Sequence, residues 1–298
     1  MITQRESTFE WWPQMVFAAL GAVSFAIWWE PFASTFALAL HDERYTHILL
    51  ILPISVALIV MDWKSPEGFS GLGVSIAGGL LVVAGMLAGI VRWNVVALPP
   101  DVQLSVNMAA FVVWWMGAFV LAFGTRAFRD ALFPLCFLFW LVPFPEFVLE
   151  PIVSWLQRGS TASAHWLFAI ARVPVEQRGM LLHIPGLTLE VAPECSSIRS
   201  SLVLVVTTMV LAQLLLRSPW RRALVVAVAI PLSVAKNGLR IFTIAMLATR
   251  VNRSFLTGRL HRQGGVIFLV IALAAIGLLI WMVRRGEGEE GITASGAD

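Results

Sequence analysis

Val191–Val206 reads VAPECSSIRSSLVLVV. A proline, a glutamate, a cysteine, two serines and an arginine pass within a few residues into a long apolar run. Ser196 and Ser197 are residue types that cap helices, because a short side-chain oxygen satisfies an orphan N–H of the first turn. A helix is therefore expected to start here and to run from Ile198 to Leu216. That length and greasiness match the roughly 20 residues that cross a hydrocarbon core. The stretch decides the class: it is the polar mouth of a membrane span.

Composition agrees. The chain has 298 residues, 58% of them hydrophobic and 13% charged, against roughly a quarter charged in soluble domains. Its mean hydropathy is +0.82. Apolar runs recur at about 14–29, 47–61, 71–91, 105–123, 131–148, 198–216, 222–247 and 264–283, so about eight spans are expected. The formal charge of +3 carries topology rather than nucleic-acid binding, and no nucleic-acid partner is expected. The bilayer is the partner that the composition demands. The first apolar run lacks a small-residue cleavage site and reads as a retained helix.

Residues 1–285 read as one integral membrane domain. The final GEGEEGITASGAD, 286–298, reads as a polar, disordered cytoplasmic tail. The basic clusters RSPWRR (217–222) and RR (284–285) are compact, and positive charge in short loops marks the cytoplasmic side. Both termini are then inside. Cys195, Arg240 and His261 fall on the outer side, Arg240 because about 18 residues at 1.5 Å each separate it from the Arg221/Arg222 cluster.

The long segment 149–194 holds no clear span. PIVSWLQRGSTASAHWLFAIAR (151–172) mixes Trp and Leu with Gln, Arg and His, as an amphipathic interfacial or re-entrant helix does. GMLLHIPGLTLEVAPE (179–194) alternates, with Leu187, Leu189 and Val191 on one side and Thr188 and Glu190 on the other. Pro185-Gly186 is a turn signal. A short β-hairpin on the outer surface is expected to lead into the cysteine. The fold class is thus an all-α polytopic membrane protein, with a small hairpin and an amphipathic helix before the cysteine stretch.

Ionisable residues inside or beside spans are costly and mark sites by default. Cys195 stands at a helix start, where exposed N–H groups and the positive helix end favour a thiolate. Arg199, four residues on, shares its face and favours the anion further, and Glu194 and Ser196 flank it. The bland alternative is a buried small hydrophobe. In AKNGLRIF (235–242), Asn237 and Arg240 share a helical face beside Lys236; the alternative for Arg240 is snorkelling to headgroups. His261, in GRLHRQGGVIF, stands just before the last span; a loop histidine is otherwise simply solvated. In HDERYTHILLILP (41–53), Asp42, Tyr45 and His47 sit where the second span begins; interfacial anchoring is the alternative. Cys136, in LFPLCFLFWLV, reads as a thiol packed in the membrane core. No Cys/His spacing suggests a metal, and no cofactor is expected. A nucleophile, a cation for an oxyanion and a base on one membrane face are what acyl transfer from an amide needs. Ser196 and Ser197 are weaker nucleophile candidates, since a hydroxyl needs a base in direct contact.

These residues resemble the exosortase/archaeosortase family of membrane transpeptidases. The resemblance rests on ECSSIRSS for the Cys box, NGLRIF for the Asn-x-x-Arg box and HRQGGVIF for the final His box. HDERYTHILLILP is similar to the early Tyr-x-His segment, and LVPFPEFVLEPIVSWLQRGSTASAHWL to the central Pro-rich segment and its helix. It spans 42–283, in order. The Cys box of the family often reads Cys-Ser-Gly-Ile; here Ser197 replaces the glycine.

The resemblance implies a catalytic triad of Cys195, Arg240 and His261, with Glu194, Ser196, Arg199, Asn237, Tyr45 and His47 binding or supporting. It implies substrates among exported proteins with a C-terminal sorting tail of short motif (Pro-Glu-Pro type), hydrophobic helix and basic end. It also implies an amine-bearing acceptor, exopolysaccharide-linked systems, and a bacterial inner membrane location with the site facing the periplasm. The competing reading is a transporter or channel with Arg240, Lys236 and Asp42 lining a solute path; against it stand the absence of mid-span charges elsewhere and of an inverted repeat. A third, a membrane acyltransferase acting on lipid or glycan, would share the outer face without needing the cysteine.

Overall fold

The computed structural model describes residues 11–61, 72–90, 98–191, 198–256 and 265–295. The chain divides into two compact units, 1–146 and 147–298.

Unit 1 holds α1 (Trp12–His41), α2 (Ile48–Met61), α3 (Leu72–Ile90), α4 (Pro100–Asp130) and α5 (Leu132–Phe137). Proline removes an N–H and clashes with the carbonyl four residues back. Pro31 does this in α1, and Trp28 departs from helical geometry at φ −106°, ψ 17°. The kink turns the Trp28 indole inward, 1% exposed, against Phe111 and Trp114 of α4 with ring centroids 6.4 and 5.6 Å away. α4 is the hub of the unit and is the most buried of the apolar helices. It breaks at Gly124, φ 83°, and starts with proline at its first position, where the lost N–H costs nothing.

Unit 2 begins with α6 (Glu146–Ile170), which unit 1 enters at its first residue, and continues with β1 (Glu176–Arg178), β2 (Leu181–Ile184), β3 (Leu187–Glu190), α7 (Ile198–Leu215), α8 (Pro219–Arg250) and α9 (Gly265–Ser295). The strands form an antiparallel sheet in the order β1-β2-β3. Ile184 pairs with Leu187 across the Pro185-Gly186 turn. Gly186 has φ 81°, a conformation that glycine adopts without steric cost. Leu182, Ile184 and Val191 pack with Ala164 and Phe168 of α6 and with Ile241 and Ala245 of α8. α7, α8 and α9 share a second core around Leu204, Leu216, Val225, Ala229 and Ile276, so the three last spans are neighbours.

Among the described residues, six helices are long and apolar enough to cross a membrane: 12–41, 43–61, 100–130, 198–215, 219–250 and 265–286. Leu132–Leu141 and Glu146–Ile170 together meet the same criterion as a broken or re-entrant span. α3 is apolar as well. The expected architecture of about eight membrane helices with a hairpin and an amphipathic helix therefore holds, with three corrections of detail. The run 131–148 is not one helix: it stops after Leu141 and restarts at Glu146, because Pro143 and Pro145 supply no N–H to carry it through. Cys136 is exposed on α5 rather than packed; an apolar neighbourhood in a lipid-facing chain does not imply burial. A third strand, β1, precedes the hairpin. The helical backbone of α9 also continues past residue 285 to Ser295.

Candidate functional site

The Asn-x-x-Arg stretch lies in the C-terminal half of α8 and faces α6 and α7. Asn237 is fully buried, and its Nδ2 donates to Ser160 Oγ of α6 at 3.0 Å. Gly238 follows. A Cβ there would overlap the Ser163 side chain and come within 3.0 Å of the Ala164 amide. The two backbones meet so closely that glycine is required for packing. Lys236, 5% exposed, donates from Nζ to Ser200 Oγ in the first turn of α7. Arg240 stands one helical turn beyond Lys236 on the same face and is half-buried.

α6 supplies the third wall. Its inward stripe contains Leu149, Leu156, Ser160, Thr161, Ala164 and Phe168. Gln157, one turn before Thr161, donates from Nε2 to the Val191 carbonyl. Val191 N–H in turn donates to Met180 O at 3.0 Å. Arg253, just after α8, donates to Gly186 O at 3.1 Å and ties the hairpin turn to the end of α8.

Cys195, Glu194, Ser196 and His261 lie outside the described residues. What the structure gives is the frame around the cysteine segment. Val191 is held by Gln157 at one end, and Ser200 by Lys236 at the other. Arg199 is exposed in the first turn of α7. Of the expected site residues, Arg199, Asn237 and Arg240 thus share unit 2. Gln157, Ser160, Ser200 and Lys236 emerge as partners that the spacing argument did not single out as site residues. The signal for them was present: each is a polar residue in an otherwise membrane-grade helix.

Tyr45 and His47 belong to unit 1. Tyr45 Oη donates to Phe144 O at 2.9 Å. His47, 2% exposed, packs edge-on against Trp140 with centroids 6.0 Å apart. Around them, Arg44 donates to Asp42 at 2.9 Å and to Glu146 at 3.0 Å. Asp101 accepts the Glu146 N–H at 2.8 Å, and Ser105 donates to Pro143 O at 2.6 Å. Burial alone would raise the Asp42 carboxyl; the Arg44 hydrogen bonds and charge outweigh it and hold the group below its ordinary value. The knot fastens the Val142–Glu146 turn, whose prolines leave it short of backbone donors.

Comparison with curated proteins and with solved structures yields no match. Comparison with family models does: the model described as Transmembrane exosortase matches residues 28–278. That range includes the Tyr-x-His segment, the Pro-rich turn, α6, the cysteine stretch, the Asn-x-x-Arg stretch of α8 and His261, and it covers most of the chain. This multi-pass membrane protein belongs to the transmembrane exosortase family.

Proposed function

We propose that the chain is a membrane-embedded cysteine peptidase and transpeptidase that removes C-terminal sorting signals from exported proteins. Its substrates carry a short motif of Pro-Glu-Pro type, a hydrophobic helix and a basic end. Cys195, as thiolate, attacks the scissile carbonyl. A C–S bond forms, and the oxyanion is stabilised by the Arg240 guanidinium. The C–N bond then breaks, and His261 gives a proton to the leaving amine. The thioester is resolved when an acceptor amine, or water, attacks the same carbonyl and gives its proton to His261, restoring the thiolate. The site faces the outer side of a bacterial inner membrane, and no cofactor takes part.

The observation that carries this reading is the pair of clamps on the cysteine segment, within a member of this family. Gln157 of α6 holds Val191, and Lys236 of α8 holds Ser200. Arg240 follows Lys236 by a single turn of the same helix. Positioning of this kind supplies much of the rate in acyl transfer, since small misplacements of reacting groups cost orders of magnitude.

The test is tail removal from a coexpressed reporter bearing a motif, helix and basic tail. Cys195→Ala and Cys195→Ser are expected to insert and fold but leave the reporter uncut. Cys136→Ala is expected to process at the parental rate, and thiol alkylation of that form to stop processing. Full processing by Cys195→Ala would remove the thiol from the mechanism.

A further inference from the structure

The small sheet of unit 2 packs one face on helices and leaves one long edge open. In the order β1-β2-β3, β3 is an edge strand. Val191 N–H donates to Met180 O at 3.0 Å, and the pairing continues through Glu190–Leu181, Leu189–Leu182, Thr188–His183 and Leu187–Ile184. The alternation of an antiparallel ladder then fixes which backbone groups face where. Those of Leu187, Leu189 and Val191 face β2; the N–H and C=O of Thr188 and Glu190 point off the edge. Both residues are exposed, and their backbone groups meet no partner among the described residues. The other edge is poorer. β1 turns only the backbone of Gln177 outward, between Glu176 and Arg178, which form an ion pair at 2.8 Å.

β3 is fixed from its other sides. Leu182, Ile184 and Val191 are buried against α6 and α8, and Leu187 and Leu189 pack on that core. Gln157 holds Val191 O and Arg253 holds Gly186 O, so both ends of the strand are tethered. Open edge groups are a liability that proteins blunt or fill, and an extended peptide fills such an edge by adding a strand. β3 ends at Glu190, and Cys195 follows five residues later. A strand laid on this edge is therefore led toward the proposed nucleophile, and that continuity selects the occupant.

We propose that the edge of β3 binds the extended motif segment of the sorting tail as an added strand. The inference rests on the function proposed above. In an added strand, successive residues turn their backbone groups alternately toward and away from the sheet. In a Pro-Glu-Pro segment only the glutamate has an N–H. With the glutamate facing β3, both prolines face outward, where a missing donor costs nothing. Proline also holds the residue before it extended. The glutamate then lies opposite Thr188 rather than Glu190, where like charges would meet.

Capture with a short bifunctional thiol reagent tests the docking without catalysis. In a Cys136→Ala, Cys195→Ala background, Glu190→Cys should link to a reporter cysteine two residues from the motif glutamate, on one side of it. Linkage to a cysteine three residues away should be about tenfold weaker, because successive side chains of a strand point to opposite faces. In the parental background, Glu190→Pro deletes an outward N–H and leaves the β2 ladder intact. It should lower reporter processing, normalised to folded protein, by about threefold to tenfold. Gln177→Pro, the same deletion on the outer side of β1, should leave processing unchanged. Equal linkage at the two reporter positions, or equal losses in the two proline variants, would overturn the docking. Capture chiefly of a second copy of the chain would overturn the occupant. The two readings fail separately. Absent linkage with processing blocked by Cys195→Ala would sink the docking and leave the chemistry, whereas alternating linkage with Cys195→Ala still processing would uphold the docking and sink the chemistry.

Discussion

Two knots of polar side chains hold this apolar chain together, and they differ in what becomes of the charge. In unit 1, Arg44 meets two carboxylates, Tyr45 and Ser105 cap the carbonyls of Phe144 and Pro143, and Asp101 takes the Glu146 amide. Opposite charges cancel, and the product is a fixed turn. In unit 2, Lys236 rests on a neutral hydroxyl, Asn237 on another, and Gln157 on a carbonyl. No carboxylate pairs with Lys236 among the described residues. An ammonium this deep is costly unless the site uses its field. The difference teaches how to sort intramembrane charges: those neutralised by acids build architecture, and those held by neutral groups remain available for chemistry.

The sharpest way to break that comparison is at Arg240. If its guanidinium meets an oxyanion, Arg240→Lys should be nearly as damaging as Arg240→Ala. A planar fork is not replaced by a point charge on a flexible stem. Both should lower reporter processing by about 100- to 1000-fold, the usual cost of removing an oxyanion donor, with the folded yield unchanged. Near-parental processing by Arg240→Lys would instead make Arg240 an interfacial anchor, and the unit 2 knot would join unit 1 as architecture.

A next, smaller effect concerns the fit of α8 on α6. Gly→Ala inside a helix ordinarily stabilises by up to about 1 kcal/mol. Gly277 of α9 has nothing within 4 Å of its would-be Cβ, and Gly277→Ala should raise the thermal midpoint or leave it unchanged. Gly238→Ala should do the reverse. Its Cβ meets Ser163 and the Ala164 amide, and overpacking of this kind costs about 1–3 kcal/mol. Because the displaced element carries Asn237 and Arg240, processing per folded molecule should fall as well. Equal midpoints for the two alanine variants would mean that α6 and α8 have room to part.

The sequence was most informative where lipid and water impose the same rule, and least where they do not. Long apolar runs located the spans, and the alternation around Pro185-Gly186 located the hairpin. β1 escaped because all three of its residues are exposed, so no period-two pattern marks it. The break at 142–145 escaped because the surrounding run is apolar enough to read as one helix despite its two prolines. α6 is the instructive case. Its period was legible, yet its inner stripe carries Ser160 and Thr161 while Trp155 and Trp166 point out. In a membrane, apolar side chains gain nothing by turning inward, and small polar residues gain hydrogen bonds by doing so. Gln157, Ser160, Ser200 and Lys236 are therefore clamps that an inside-is-greasy rule hides. The same rule misplaced Cys136, which a lipid-facing surface accommodates as readily as a core.

The smallest expected effect sharpens the other side of the comparison. Tyr45 was read from sequence as a supporting site residue, and in unit 1 its hydroxyl caps Phe144 O at 2.9 Å. Tyr45→Phe keeps the buried ring, which is 5% exposed, and deletes one hydrogen bond. Such a deletion costs about 0.5–1.5 kcal/mol. Arg44, Asp101 and Ser105 still hold the neighbouring atoms of the turn, so the loss should sit at the low end and lower the thermal midpoint by a few degrees at most. Reporter processing, normalised to folded protein, should match the parent, because the turn is over-determined and one missing clamp leaves its course unchanged. A variant with the parental midpoint and strongly reduced processing would reverse the assignment. The phenolic hydroxyl would then act on substrate, and the Tyr-x-His segment would belong with the Cys195 chemistry despite its place in the other unit.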